Sequence, residues 1–316
     1  MTKPFTVIIP KTIDDYNFVS STLTEGSNNP PYDYYRYNYN AGGLVGGGIT
    51  YAAGDYVVLT SNHKIYKSLQ GSNLNHPPDT SPTWWVEVGP TNRWAMFDES
   101  GGTYSYSSGA NIVFSFTMDR ATSIALVELT ARSVRIQATA PGYPNYYDQT
   151  YNLGDRAIIA NWYDYFTADS FLATELIVTD IPAIPNTTFT ITIENNGNPL
   201  QVGNFIAGQA LELGKTQYGA KIGIVDYSKK EVNEFGKATL VKRTFSKKMD
   251  VSLTVENQIV YAVAQRLSYL RATPCLWVGA NGVFESLTVY GFYRDFSIEI
   301  PRPTNSLCSL QIEGLV

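Results

Sequence analysis

The chain has 316 residues, enough for two or three domains each burying its own core. Charged side chains make up 16% of it and the formal charge is −5, well under the roughly 25% charged content of an average globular chain, a balance that argues against nucleic-acid binding through clustered cations. No run reaches the roughly 18 apolar residues of a membrane span, and two cysteines, Cys275 and Cys308, are too few for a disulfide scaffold.

Residues 1–27 read as extended chain, V-I-I-P followed by K-T-I-D-D-Y and a Ser-Ser-Thr cluster. The opening M-T-K-P-F-T-V-I-I-P has no apolar stretch of secretory-signal length, so the expectation is synthesis in a cytoplasm. Residues 28–48 are a different material, opened by Pro-Pro, filled with Tyr and Asn and closed by glycines. That composition predicts neither helix nor regular strand, so residues 1–48 form an N-terminal extended segment and linker. The Tyr/Asn stretch at 32–40 is equally a wrap around a neighbouring subunit and a disordered surface loop.

Residues 49–90 carry Y-A-A-G-D-Y-V-V-L, H-K-I-Y-K-S-L-Q and T-W-W-V-E-V, rich in flat apolar rings and poor in charge. Such rings offer large rigid surfaces at low entropic cost, which suits recognition. The spacing resembles the small chitin- and cellulose-binding modules of the family 5/12 type, with Tyr51, Gly54, Asp55, Val57, Tyr66, Pro78, Trp85 and Val88 on that pattern. Gly46-Gly47-Gly48-Ile49 stand where such modules carry an aromatic before the opening tyrosine. By the resemblance Trp85 is the core ring. Its neighbour Trp84, pointing to the opposite face of a strand, is then the expected sugar-stacking ring. A pyranose face on an indole gains about 25 cal/mol per Å² of apolar area buried. Trp85, Tyr66 and Tyr51 complete the carbohydrate-binding candidates with Trp84, although tyrosines in so small a unit also serve as core.

From residue 91 the pattern becomes that of a β-protein. The segments A-N-I-V-F-S-F, S-I-A-L-V-E-L, S-V-R-I-Q-A-T and T-E-L-I-V-T-D are β-branched and partly alternating. In T-F-T-I-T-I-E, Phe189, Ile191 and Ile193 share one face and Thr188, Thr190 and Thr192 the other, and Asn195-Asn196-Gly197-Asn198-Pro199 supplies turn chemistry behind them. Repeated short strands with such breaks predict an antiparallel sandwich or jelly roll over residues 91–212. Residues 213–316 read as a further β-rich domain, with strands near 237–246, 249–255, 285–292, 295–300 and 307–313. One segment there has helical spacing, 256–271, where Ile259, Val260, Val263, Leu267 and Leu270 make an apolar stripe, Glu256 and Arg271 suit the helix dipole and Pro274 stops it. The fold class expected is therefore mainly β, with one amphipathic helix in the C-terminal half and a small inserted β module.

Several motifs from residue 91 onward come in a shared order: T-N-R-W-A-M-F-D, L-G-K-T-Q-Y-G, V-D-Y-S-K-K, F-G-K-A-T-L-V-K-R, P-C-L-W-V, V-Y-G-F-Y-R-D-F and C-S-L-Q-I-E-G-L. Together they resemble the minor tail proteins of long-tailed bacteriophages, of the distal tail or tail-tip (baseplate) type. The resemblance covers more than two-thirds of the chain. It implies a virion structural protein that self-associates in a ring at the tail tip, touches tail tube, tape-measure and hub proteins, and carries a module able to hold host-surface polysaccharide.

No catalytic constellation is visible. His63 and His76 have no Cys or carboxylate at ligand spacing, so neither a metal site nor a cofactor is expected, and no G-x-S-x-G elbow accompanies them. Asp98, Glu99, Asp180, Glu194 and Asp226 are available acids, but no spacing favours a glycosidase pair. Five glycines in 42–48 lack the G-K-[ST] ending of a phosphate loop. The basic patch Lys242-Arg243 and Lys247-Lys248 alternates with strand-forming residues, as a solvated strand face does, and no nucleic acid is expected as partner. Cys275 and Cys308 lie in apolar contexts that favour buried free thiols. The competing class is a polysaccharide-degrading enzyme with an appended binding module, which an export signal and an acid pair would support.

Overall fold

The computed structural model describes residues 4–25, 33–34, 50–154, 162–167, 172–232, 237–280 and 287–315. In chain order the elements are β1 (Pro4–Pro10), β2 (Phe18–Ser21), β3 (Asp33–Tyr34), β4 (Tyr56–Leu59), β5 (Lys64–Ser68), β6 (Trp85–Pro90), a 3-10 turn at Ala95–Phe97, β7 (Ser105–Ser107), β8 (Ile112–Met118), β9 (Ser123–Thr130), β10 (Ser133–Ala140) and β11 (Tyr143–Asn152). They continue with α1 (Trp162–Thr167), β12 (Glu175–Val178), β13 (Thr187–Glu194), β14 (Leu200–Thr216), β15 (Lys221–Asp226), β16 (Lys229–Val232), β17 (Ala238–Val241), β18 (Phe245–Glu256), α2 (Val260–Tyr269), β19 (Cys275–Val278), β20 (Thr288–Glu299) and β21 (Asn305–Gly314). The chain is mainly β and antiparallel, as its strand periodicities predict.

A five-stranded sheet, β11-β10-β13-β8-β2, packs on the wing β12-β9-β14 of a larger sheet. The alternation read from residues 188–194 is realised: Phe189, Ile191 and Ile193 are wholly buried, and the intervening threonines lie on the other face. The two sheets meet through rings, Phe114 of one edge-on to Phe205 of the other at 4.9 Å. Asn196 and Gly197 both take positive φ and Asn198 N–H donates to the Asn195 carbonyl. That turn carries the chain from one sheet to the other instead of closing a hairpin.

The larger sheet then curls on itself. Its order runs β14-β1-β19-β20-β21-β18, and β14 pairs again with β18 through Lys215 and Thr216, so six strands close into a barrel. Phe5, Leu213, Met249, Leu253, Trp277 and Leu310 fill it. Helix α2 lays Val263 and Leu267 into the same core, and its C-cap residue Leu270 follows them, each such side chain contributing about 1.5–3 kcal/mol by burial. Trp277 Nε1 donates to the Gly291 carbonyl (2.9 Å), and the Tyr293 hydroxyl donates to the Leu267 carbonyl (2.8 Å), tying helix to barrel. Cys275 and Cys308 are unpaired and buried in this core, and burial pushes their thiols up to about 12 and about 11.

Several boundaries differ from expectation. The helix spans Val260–Tyr269, not 256–271, because Glu256 is still paired with Asn305 in the β18–β21 ladder. The strands expected at 285–292 and 295–300 are one element, β20, broken only by a bulge between Tyr293 and Asp295. Asp33–Tyr34, inside the linker expected to lack strands, pairs in parallel with Val57–Val58; the remainder of the Tyr/Asn stretch and the glycines at 42–48 lie outside the described residues. Strand β14 runs unbroken through residues 212 and 213, so the sandwich and the barrel share it.

The sharing demands close strand approach. A Cβ on Gly208 would lie 1.9 Å from the Ile9 carbonyl oxygen, and one on Gly291 would lie 2.1 Å from that of Glu313. Gly208→Ala therefore has to push β1 off β14. The expected destabilisation is about 1–3 kcal/mol, the usual range for overpacking, seen as a melting temperature several degrees lower; an unchanged melting temperature contradicts this account of the crossing.

Candidate functional site

The small module is the four-stranded sheet β3-β4-β5-β6. Its core is Tyr51, Val57, Tyr66 and Trp85, with Tyr51 edge-on to Trp85 at 5.2 Å. Trp85 Nε1 donates to the His76 carbonyl (2.8 Å), and the Tyr66 hydroxyl accepts from Asn62 Nδ2 (2.8 Å). Tyr51, Tyr66 and Trp85 are 5%, 6% and 2% exposed, so these three carbohydrate-binding candidates present no ring face to a ligand. A unit this small has few aliphatic side chains to bury, and its rings supply the apolar volume instead.

Trp84 is different. It is partly buried, and one face is stacked on His76 with ring centroids 3.9 Å apart and planes within 10°. The strand begins at Trp85, and Trp84 N–H closes a turn on the Ser81 carbonyl. The alternation expected of two strand residues therefore does not apply to this pair, and Trp84 packs against the same core as Trp85.

The second histidine joins the module to the sandwich. His63 Nε2 lies 3.1 Å from an Asp15 carboxylate oxygen and its Nδ1 lies 3.2 Å from one of Glu25. Its ring stacks on Trp94 at 4.1 Å. Arg93 reinforces the contact, donating from Nε to the Leu23 carbonyl (2.7 Å) and approaching Glu25 through Nη1 (3.4 Å). Thr91 N–H donates to the His63 carbonyl (2.8 Å). His63 takes φ +57, a left-handed conformation that His and Asn tolerate better than most residues. The sequence gives no sign of this clamp, because the charged groups around His63 (Asp15, Glu25 and Arg93) come from positions 15 to 93.

Four of the five acids weighed as catalytic candidates, Asp98, Asp180, Glu194 and Asp226, are held by separate local partners. Asp180 accepts from the Tyr147 hydroxyl (3.2 Å), itself 2.5 Å from the Tyr151 hydroxyl. Glu194 accepts from Asn111 Nδ2 (3.1 Å). Asp226 caps Ser228, whose hydrogen bonds hold its carboxyl below the usual range. Asp98 accepts from Thr103 Oγ1 (2.9 Å) and Ser100 N–H (3.0 Å), yet burial raises its pKa. Among the described residues no three His, Cys, Asp or Glu side chains group as a metal site.

A third feature is an arm. Strand β15 forms one edge of the large sheet, and the ribbon β16–β17 continues beyond it. Ile224, Leu240, Phe245 and Tyr218 stand exposed there, Leu240 at 77%. Residues 218–248 hold eight lysines and arginines against three carboxylates, a net +5. The remainder of the chain, within a total of −5, carries −10. The basic patch read as a solvated strand face belongs to this arm, and Lys247 pairs with Glu175 at its root.

No protein-family model matches this sequence, and no curated protein matches it.

His63→Asn keeps a residue suited to φ +57 and removes both carboxylate contacts and the stack on Trp94. Hydrogen exchange of the Thr91 amide is expected to quicken at least about tenfold, the effect of losing about 1.4 kcal/mol of local protection, while barrel amides stay unchanged. Equal protection of Thr91 in both proteins contradicts the clamp.

Proposed function

We propose that the chain is a structural component of a phage tail tip that self-associates in a ring and whose small module adheres to host-surface polysaccharide. The observation that carries this reading is the arm. Soluble monomers rarely leave an open strand edge and several large apolar side chains on one projecting element. The arm is also opposite in charge to the body that bears it. A copy of the same chain offers the complementary acidic surface, and arm-on-body contact is head-to-tail, the geometry that generates closed rings. The ordered tail-protein motifs of residues 91–315 support the same reading. Tail tube, tape-measure and hub proteins are its proposed neighbours. A multivalent ring converts weak single-site glycan contacts into useful avidity.

Ile224→Asp combined with Leu240→Asp changes exposed side chains only, so the fold is expected to stand. Light scattering coupled to gel filtration should give an oligomer for the parent protein and the 35.0 kDa monomer for the double variant. A parent protein that stays monomeric up to high micromolar concentration contradicts self-association through the arm.

A further inference from the structure

Between the module and the sandwich lies a cleft of about 460 Å³, within the about 300–1,000 Å³ of small-ligand sites. We propose that this cleft, and not an exposed module ring, is the saccharide-binding site of the protein; the inference deepens the adhesion part of the proposed function and rests on it.

Both units line the cleft, and each supplies a different kind of group. Half-buried Phe97 gives it the apolar lining against which the C–H face of a pyranose packs, and Trp94, its ring stacked on His63, backs that wall. Trp94 Nε1 is buried without a hydrogen-bond partner among the described residues, and the residue itself is 8% exposed. On the sandwich side Asp98 uses Oδ1 for both Thr103 and Ser100, which leaves Oδ2 unengaged by that turn. Burial raises the Asp98 pKa, as it does where a carboxylate has lost water without gaining a counter-charge. On the module side Lys64 and Glu87 pair at 2.8 Å, offering a donor and an acceptor at the same rim.

That mixture selects the ligand class. Neighbouring sugar hydroxyls both donate and accept, so they match a free carboxylate oxygen opposite an ammonium–carboxylate pair. An anionic ligand would meet two carboxylates, Asp98 and Glu87, against one lysine. A purely apolar ligand would desolvate the Lys64–Glu87 pair and give Asp98 Oδ2 no donor. A neutral polyhydroxylated ring meets neither penalty. The clamp of His63 on Asp15 and Glu25 fixes the two walls relative to each other, which reduces the ordering cost of binding.

The test is saturation-transfer NMR on the full chain against soluble oligosaccharides of glucose, galactose, N-acetylglucosamine and rhamnose. Two cleft variants are compared, Asp98→Ala and Val88→Trp; Val88 is 51% exposed on the cleft wall, so a larger ring there fills space without entering a core. The expected result is a bound sugar whose signal falls at least about tenfold in both variants and persists in Trp84→Ala. A sugar that binds both cleft variants normally but is lost in Trp84→Ala overturns the cleft and leaves adhesion standing at Trp84. No saturation transfer from any of these sugars overturns the cleft and the adhesion reading together.

Discussion

Strand β14 is the constraint on which the rest of the fold depends. Its first half pairs with β9 and β7 and faces the sandwich core through Val202 and Phe205. Its second half pairs with β1 and β18 and faces the barrel core through Leu213. Seventeen residues thus belong to two hydrophobic cores at once, and neither can shift register without moving the other. The opposite face of the same strand carries a third set of buried side chains, where Ile206 meets Ala125 and Ile8 meets Leu276. Glycine at the crossing is the chemical condition for this arrangement, since the Ile9 carbonyl occupies the space of a side chain at Gly208.

Where the sequence alternates cleanly, it announces its structure. Residues 188–194 alternate threonine with large apolar side chains, and one row is buried while the other is not. The apolar stripe of α2 is equally plain, and its start is the end most obscured, because Glu256 suits a helix N-terminus as well as the strand end it occupies. Strand β14 itself is illegible from periodicity. V-G-N-F-I-A-G-Q-A-L-E-L-G-K-T places glycine where steric approach demands it, and over residues 202–208 both faces are covered, which erases the alternation. Cys275–Val278 is likewise buried on both faces and reads as a short apolar run of no definite period.

The module was readable as a unit but not as a surface. Its tyrosines and tryptophans mark a compact aromatic unit, yet Tyr51, Tyr66 and Trp85 are consumed by a core that has little else to bury. Trp84 gives one face to His76. What the sequence cannot display is the contact between units. His63 meets Asp15 and Glu25 across 48 and 38 positions of chain, and Asp98 joins a cleft whose far wall is Glu87 and Val88. The two places where we propose recognition, that junction and the basic arm, are both built by long-range folding.

An arm of charge +5 on a body of −10 gives the chain a reason to bind itself, and the account's central claim is that it does so inside a virus particle. The most direct measurement is quantitative mass spectrometry of purified particles from cells producing the chain, with its peptides counted against the major tail protein. The account predicts a fixed small cyclic copy number, about three or six per particle. Absence from particles, with the protein free in the lysate, would contradict it.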